Sequence, residues 1–354
     1  MEALRVAVVM GGTSSEREVS LRSGAAVAEA LEGLGYDVAR VDLGSGAEAL
    51  RALASTPMDV AFLALHGRQG EDGVVQGILE MLGVPYTGSG VMGSALAMDK
   101  VKSKELFRLH NVPTAPYYEL SRAQAESLAE LHGSFGFPVV VKPRREGSSV
   151  GVTAATNFAE LSAAVESALQ YDDSVLVERF IHGREVAVGL LDGRVLGAIE
   201  IAPRGGVYDF AAKYTPGMTE YFMPARLEPT RTRGILNLAE RAAQAVGARG
   251  AARVDLLVTE GQNEYVLEVN TLPGMTPTSL LPKIAGAAGY DFAGLCEAIL
   301  SSARTDSRIP AAPQATTVHS SRSPWGENSF DDAGYAAVAT AQRAQAPVTA
   351  RRSA

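Results

Sequence analysis

Val6 to Met10 is a short run rich in β-branched residues, and it stops at Gly11-Gly12. A buried strand that feeds a tight turn has this form. Val19, Leu21, Ala25, Ala28, Leu31 and Leu34 then recur at helical spacing, with Gly35 at the stop. Val38 to Val41 and Val60 to Leu65 are further strands, and Leu50 to Ala54 is part of a helix between them. Strand, helix, strand, helix, strand demands a parallel sheet, because parallel neighbours need a crossover. Functional groups of such sheets gather at the carboxyl ends of the strands. Gly11, Gly12 and His66 all fall there.

After Asp99 the pattern changes. Lys100 to His110 is a helix, and Pro138 to Lys142 is a strand running into the Gly/Ser loop Glu146 to Gly151. Ser174 to Phe180 is another strand. Glu185 to Leu191, Asp192-Gly193 and Arg194 to Ile201 form a hairpin on the Asp-Gly turn signal. The middle of the chain is therefore α+β with antiparallel pairing. Ile235 to Val246 is an amphipathic helix, Ala251 to Val258 and Glu264 to Val269 are paired strands, and Phe292 to Leu300 is a last helix. From about Thr305 the chain is Ala, Ser, Pro, Thr, Gln and Arg with few large apolar residues, a composition expected to be disordered.

Composition closes off several classes. One Cys permits neither an internal disulfide nor a Cys-based zinc cage. A net charge of −8 argues against broad nucleic-acid binding. No stretch reaches the roughly 18 apolar residues of a membrane span, and no targeting segment is visible, so a cytoplasmic protein is expected.

The strongest local signal is Arg253-Val254-Asp255 with Glu268-Val269-Asn270. Residues two apart in a strand share a face, so Arg253 and Asp255 point one way, as do Glu268 and Asn270. Val254, Val269 and Leu267 are expected to supply the buried face. Paired as a hairpin, Asp255, Glu268 and Asn270 converge on a hard-oxygen site suited to Mg²⁺, with Arg253 beside it to meet a developing anion. A solvated polar sheet face is the plainer alternative. Lys142 precedes Gly147-Ser148-Ser149-Val150-Gly151, small residues that let backbone N–H groups approach phosphate, although the spacing is not that of a Walker A loop. Gly88-Ser-Gly90-Val-Met-Gly93 matches a dinucleotide fingerprint in letters only. It lies deep in the chain, with Asp99 too close, and reads as a linker turn. His66 and Glu71 follow an apolar strand and fit a substrate cleft. His110, His132 and His182 read as surface residues. Glu16 and Glu18 suit a helix N-terminus, and Glu16 also suits a substrate ammonium.

In order, these segments say more than they do singly. Gly11 to Ser20, His66 to Gly73, Met98-Asp-Lys100, Val141 to Gly151, Lys213-Tyr214, Arg253 to Asp255 and Glu268 to Met275 together resemble D-alanine–D-alanine ligases, members of the ATP-grasp superfamily. The resemblance runs from about Val6 to Leu300. It implies an α/β (α+β) ATP-grasp fold: an N-terminal parallel-sheet domain at 1–98, a central domain at 99–187, a C-terminal domain at 188–304 and a tail at 305–354. ATP would lie between the central and C-terminal domains.

The resemblance also implies roles. Lys100, Lys142 and Lys213 would contact phosphates. Glu178, Phe180 and Ile181 fall at the adenine hinge, and Glu185 at the ribose. Asp255, Glu268 and Asn270 would hold Mg²⁺ or Mn²⁺, two ions in all. Glu16 would meet the first D-alanine's ammonium, and Ser279 and Leu280 would hold the second D-alanine. Arg253 and the Gly274 N–H would face the tetrahedral intermediate. Ser148 and Tyr214 would tie a mobile loop, Arg204 to Pro224, over the substrates. His66 and Tyr214 both remain open as the base for the second amine. A homodimer is implied as well. The reading is then ATP-dependent formation of D-alanyl-D-alanine through an acylphosphate, in peptidoglycan precursor synthesis. A different ATP-grasp carboxylate–amine ligase, a D-alanine–D-lactate ligase, and a nucleotide-binding protein without turnover are the alternatives.

Overall fold

A computed structural model of the chain describes residues 3–204, 217–261 and 263–306. The chain opens with β1 (Arg5–Gly11), α1 (Arg17–Gly33), β2 (Asp37–Leu43), α2 (Gly46–Ser55) and β3 (Val60–Leu63), the order the sequence demands. The sheet is parallel, in the order β2-β1-β3. The buried face of α1 differs from the apolar pattern. Ser20, Ser23 and Gly24 are buried with Val27, Ala28 and Leu31, while Leu21, Ala25 and Leu34 are only partly covered. The reason is close approach. A Cβ on Gly24 would lie 2.6 Å from Met10 Cβ. Ser20 Oγ accepts from the Gly11 N–H at 2.8 Å and donates to the Ala64 carbonyl at 2.7 Å, fastening the ends of two strands.

Next come α3 (Val74–Leu82), α4 (Val91–Met98) and α5 (Lys100–Leu109). The expected linker turn at 88–93 is a turn that opens a helix, with Gly90 at the N-cap of α4. Its glycines serve packing. A Cβ on Gly88 would meet Leu272, and one on Gly93 would lie 2.7 Å from the Gly247 carbonyl. At Gly90 the space is filled by Asp306, whose carboxylate accepts from the Val91 N–H at 3.2 Å and pairs with Arg249 at 2.6 Å.

The second sheet is antiparallel, in the order β4-β7-β5-β6, from β4 (Tyr117–Ser121), β5 (Val139–Pro143), β6 (Thr153–Ala155) and β7 (Ser174–Arg179). Helices α6 (Leu128–His132) and α7 (Phe158–Ala168) accompany it. His132, expected at the surface, is buried beside Phe135 and Phe137, and its Nδ1 lies 3.0 Å from Tyr118 Oη. Its polar sequence context hid an aromatic pocket assembled from three segments.

The third sheet runs β10-β9-β8-β11-β12. It comprises β8 (Arg184–Leu191), β9 (Arg194–Pro203), β10 (Thr219–Phe222), β11 (Ala251–Val258) and β12 (Glu264–Asn270). The expected boundary at 187 thus falls inside β8. Helix α8 (Pro229–Val246) covers this sheet together with α5, so that Phe107 and Val112 share a core with Val188, Leu238 and Val254. Two helices close the described chain, α9 (Leu280–Ala287) and α10 (Phe292–Ser301). Leu295 and Ile299 of α10 return to the first unit and pack with Val6, Val27 and Leu31.

Candidate active site

The hairpin β11–β12 carries the centre of the site. Arg253 lies opposite Asn270 and Asp255 opposite Glu268, the convergence its alternation predicts. One detail departs from it. The register shifts after Asp255, so Leu256 faces Val266 and Leu267 is the extra residue of a bulge. Val266 and Val269 therefore point into the core, and Leu267, expected there, is turned out to line a cavity. Arg253 binds Asp255 with two hydrogen bonds of 2.8 Å, and Asn270 Nδ2 donates to the same carboxylate at 3.1 Å.

Two cavities meet at this hairpin. The first, of about 420 Å³, is lined by Glu16, His66, Glu71, Ser148, Arg253, Glu268, Asn270, Gly274, Ser279 and Leu280. Glu16 ends the β1–α1 turn as the N-cap residue of α1, but its side chain does not cap the helix. It is buried and accepts from Ser148 Oγ of the Gly/Ser loop. A Cβ on Gly147 would crowd the Glu16 carboxylate, which would have to shift to make room. Ser148 and Ser149 both take positive φ, 46° and 60°, which turns the loop between the cavities. Ser279, the N-cap of α9, bonds through its hydroxyl to Thr276, and a Cβ on Gly274 would come within 2.9 Å of that hydroxyl.

Burial sets the protonation of two residues here. It pushes His66 down to about 4, and the charge of Arg253 acts the same way, so the imidazole is neutral at pH 7. Burial and the nearby Glu16 carboxylate push Glu71 up to about 8, against the Gly67 N–H that it accepts at 2.6 Å. Glu71 is then mostly a neutral acid at pH 7.

The second cavity, of about 440 Å³, lies between the second and third sheets. Lys100, Lys142, Glu178, Phe180, Ile181, Glu185, Asp255, Leu267 and Glu268 line it. Lys100 Nζ donates to the Glu146 carbonyl and so anchors the loop. Phe180 lies against His182, ring centroids 4.8 Å apart. Glu178 is buried between two lysines, Lys142 and Lys104, each 2.7 Å away. Burial alone would raise its carboxyl, but the two lysines hold it down to about 2. Lys104 escaped the sequence reading. It lies one helical turn after Lys100, yet only the fold shows that it points inward. Arg22, which also lines the first cavity, was missed too, since it lies in no motif; Tyr221, within the expected lid, lines the same cavity. Lys213, Tyr214 and most of the expected lid lie outside the described residues, as does the chain beyond Asp306.

Every described residue expected in the site lines one cavity or the other, and Glu268 lines both. For a metal, the donor set fits. Asp255 and Glu268 are cross-strand neighbours offering carboxylates, and Asn270 adds an amide oxygen on the same face. Among the described residues no cluster of three or more His, Cys, Asp or Glu could hold a metal ion.

A nucleotide-sized cleft between two antiparallel sheets, with a parallel-sheet unit in front of it, is the architecture of the ATP-grasp class. Family models described as D-ala D-ala ligase N-terminus and C-terminus match residues 44–89 and 106–301. The D-alanine–D-alanine ligase of Geotalea uraniireducens is 51% identical over 303 residues, 86% of this chain and 96% of that one. The enzyme of Geobacter sulfurreducens is 51% identical over 86% and 95%. Among solved structures, the Bacillus anthracis D-alanine–D-alanine ligase complexed with ATP has a TM-score of 0.75 at 34% identity, covering 85% of this chain and 97% of that one. The VanG D-Ala:D-Ser ligase of Enterococcus faecalis has a TM-score of 0.74 at 30% identity, covering 84% and 98%. The chain belongs to the D-alanine–D-alanine ligase family.

Proposed function

We propose that the chain joins two D-alanines to D-alanyl-D-alanine at the expense of ATP, releasing ADP and phosphate. One observation carries this reading. The cavity with phosphate-suited lysines and the cavity with Glu16, Arg253, Gly274 and Ser279 meet at Glu268. A phosphoryl donor and a carboxylate acceptor can therefore face each other across a single acidic side chain.

The chemistry follows from the groups in place. Glu16 suits the ammonium of the first D-alanine, and Arg253 the carboxylate that must be activated. Phosphorylation of that carboxylate gives an acylphosphate, and Lys100 and Lys142 neutralise the charge of the transferring group. The second amine then attacks the acyl carbon and phosphate leaves. Arg253 and the Gly274 N–H supply donors for the oxyanion. Ser279 and the start of α9 suit the carboxylate of the second D-alanine. Mg²⁺ or Mn²⁺ held by Asp255, Glu268 and Asn270 would neutralise phosphate charge. Neutral His66 could accept a proton from the second amine, though its low basicity makes it a weak base. Lys213 and Tyr214 are proposed to complete the site from the lid.

The three units are proposed as 1–98, 99–183 and 184–304, with the second boundary moved from 187 to the start of β8, and the family resemblance supports a homodimer working in the cytoplasm. No helix among the described residues is long and apolar enough to cross a membrane. The test is phosphate release from ATP and Mg²⁺ with D-alanine, L-alanine, or D-alanine plus D-lactate, with product masses recorded. Release with D-alanine and a D-alanyl-D-alanine mass is expected. A depsipeptide mass, or silence with D-alanine, would overturn the reading.

A further inference from the structure

Lys104 is more deeply buried than any other lysine or arginine among the described residues, with 1% of its side chain exposed. Its ammonium lies 2.7 Å from Glu178 Oε1 and 2.5 Å from Thr114 Oγ1. Thr114 in turn donates to the Val266 carbonyl of β12. The other oxygen of Glu178 lies 2.7 Å from Lys142. Two cations thus share one carboxylate, yet only Lys142 and Glu178 line the second cavity.

Burying an ammonium is costly, and Glu178 already has a partner in Lys142. The second lysine makes sense when Lys142 has to move. Suppose Lys142 were the only partner. Transferring its ammonium to a phosphate would then leave a buried carboxylate with no cation beside it, where burial pushes the carboxyl up and disfavours its charged form. With Lys104 in place, Glu178 keeps a partner whichever way Lys142 turns. We propose that Lys104 is a positioning residue for nucleotide binding: by holding Glu178 permanently, it frees Lys142 to carry its charge from that carboxylate to the phosphates. The inference rests on the nucleotide reading of the second cavity.

The test uses the full chain, with Mg-ADP and adenosine as probes in titration calorimetry. Lys104→Gln keeps a hydrogen-bonding group near Thr114 and removes the charge. ADP affinity should fall about tenfold or more, while adenosine, which has no phosphate for Lys142, changes less than about twofold. In a Glu178→Gln background the same substitution should change ADP affinity less than about twofold, since no carboxylate is left to strand. Lys104→Arg should retain ADP affinity. Equal losses for ADP and adenosine, equal losses in both backgrounds, or a lowered Tm with unchanged ADP affinity would each overturn the inference. If Lys104→Gln does not fold alone, the double variant compared with Glu178→Gln decides it: a tenfold weaker ADP affinity in the double variant refutes the proposal. Failure of the unsubstituted protein to bind ADP would instead overturn the nucleotide reading, and the inference with it.

Discussion

Glu16, Gly147 and Ser148 illustrate how much a single contact can carry. Their segments are far apart in sequence, yet the Glu16 carboxylate occupies the space where a side chain at 147 would begin. Gly147→Ala should therefore displace Glu16 and raise the KM for D-alanine about tenfold, with ATP binding little changed; steady-state kinetics in each substrate will show it. Glu268→Gln should lower kcat by roughly a hundredfold or more, because the charge between the two cavities is lost. Wild-type turnover in that variant would sink the shared-wall reading. Glu71 gives a pH signature. Its folded-state value, about 8, lies above the ordinary 4.5, so its contribution to stability is full below about pH 4.5 and is lost as pH rises toward 8. Thermal unfolding from pH 5 to 8 should thus show a Tm that declines in the native protein relative to Glu71→Gln. Parallel curves would contradict the raised carboxyl of Glu71.

At the scale of elements, the β12 bulge and the start of α4 decide more than their lengths suggest. Alternation alone places Leu267 in the core; one extra residue turns it toward the second cavity and keeps Glu268 opposite Asp255. Period-2 reasoning cannot see a bulge, because the inserted residue breaks no propensity rule. Helix α4 was hidden for another reason, namely that its glycines look like turn residues until Gly247, Leu272 and Asp306 are placed against them. Asp306 receives the first N–H of α4, in the manner of a cap supplied from a distance. Truncation after Arg304 should accordingly cost about 1 kcal/mol of stability relative to truncation after Asp306. Chemical denaturation of the two truncated proteins measures the difference, and equal midpoints would mean that the cap contributes nothing.

On the scale of the whole molecule, the notable contact joins the two ends of the described chain. Helix α10 packs on β1 and α1, so the sheet that presents Glu16 and His66 depends on residues near 299. Ile299→Ala should destabilise the protein by about 2–5 kcal/mol. In kinetics at low temperature, D-alanine binding should suffer before ATP binding does, because the damage lies under the first cavity. An effect on ATP alone would point to a different coupling between the units.

The sequence by itself determined the order β1-α1-β2-α2-β3, the β8–β9 and β11–β12 hairpins, and the shared face of Glu268 and Asn270 opposite Asp255. Each rests on local physics: alternation, helical spacing or a turn signal. The ordered motifs also sufficed to mark the family. Only the tertiary structure decided that Glu268 borders both cavities, that His132 is buried, that Lys104 shares Glu178 with Lys142, and that Asp306 fills the space beside Gly90. These depend on distant segments meeting, and burial together with the charged neighbours it brings then sets which groups carry charge.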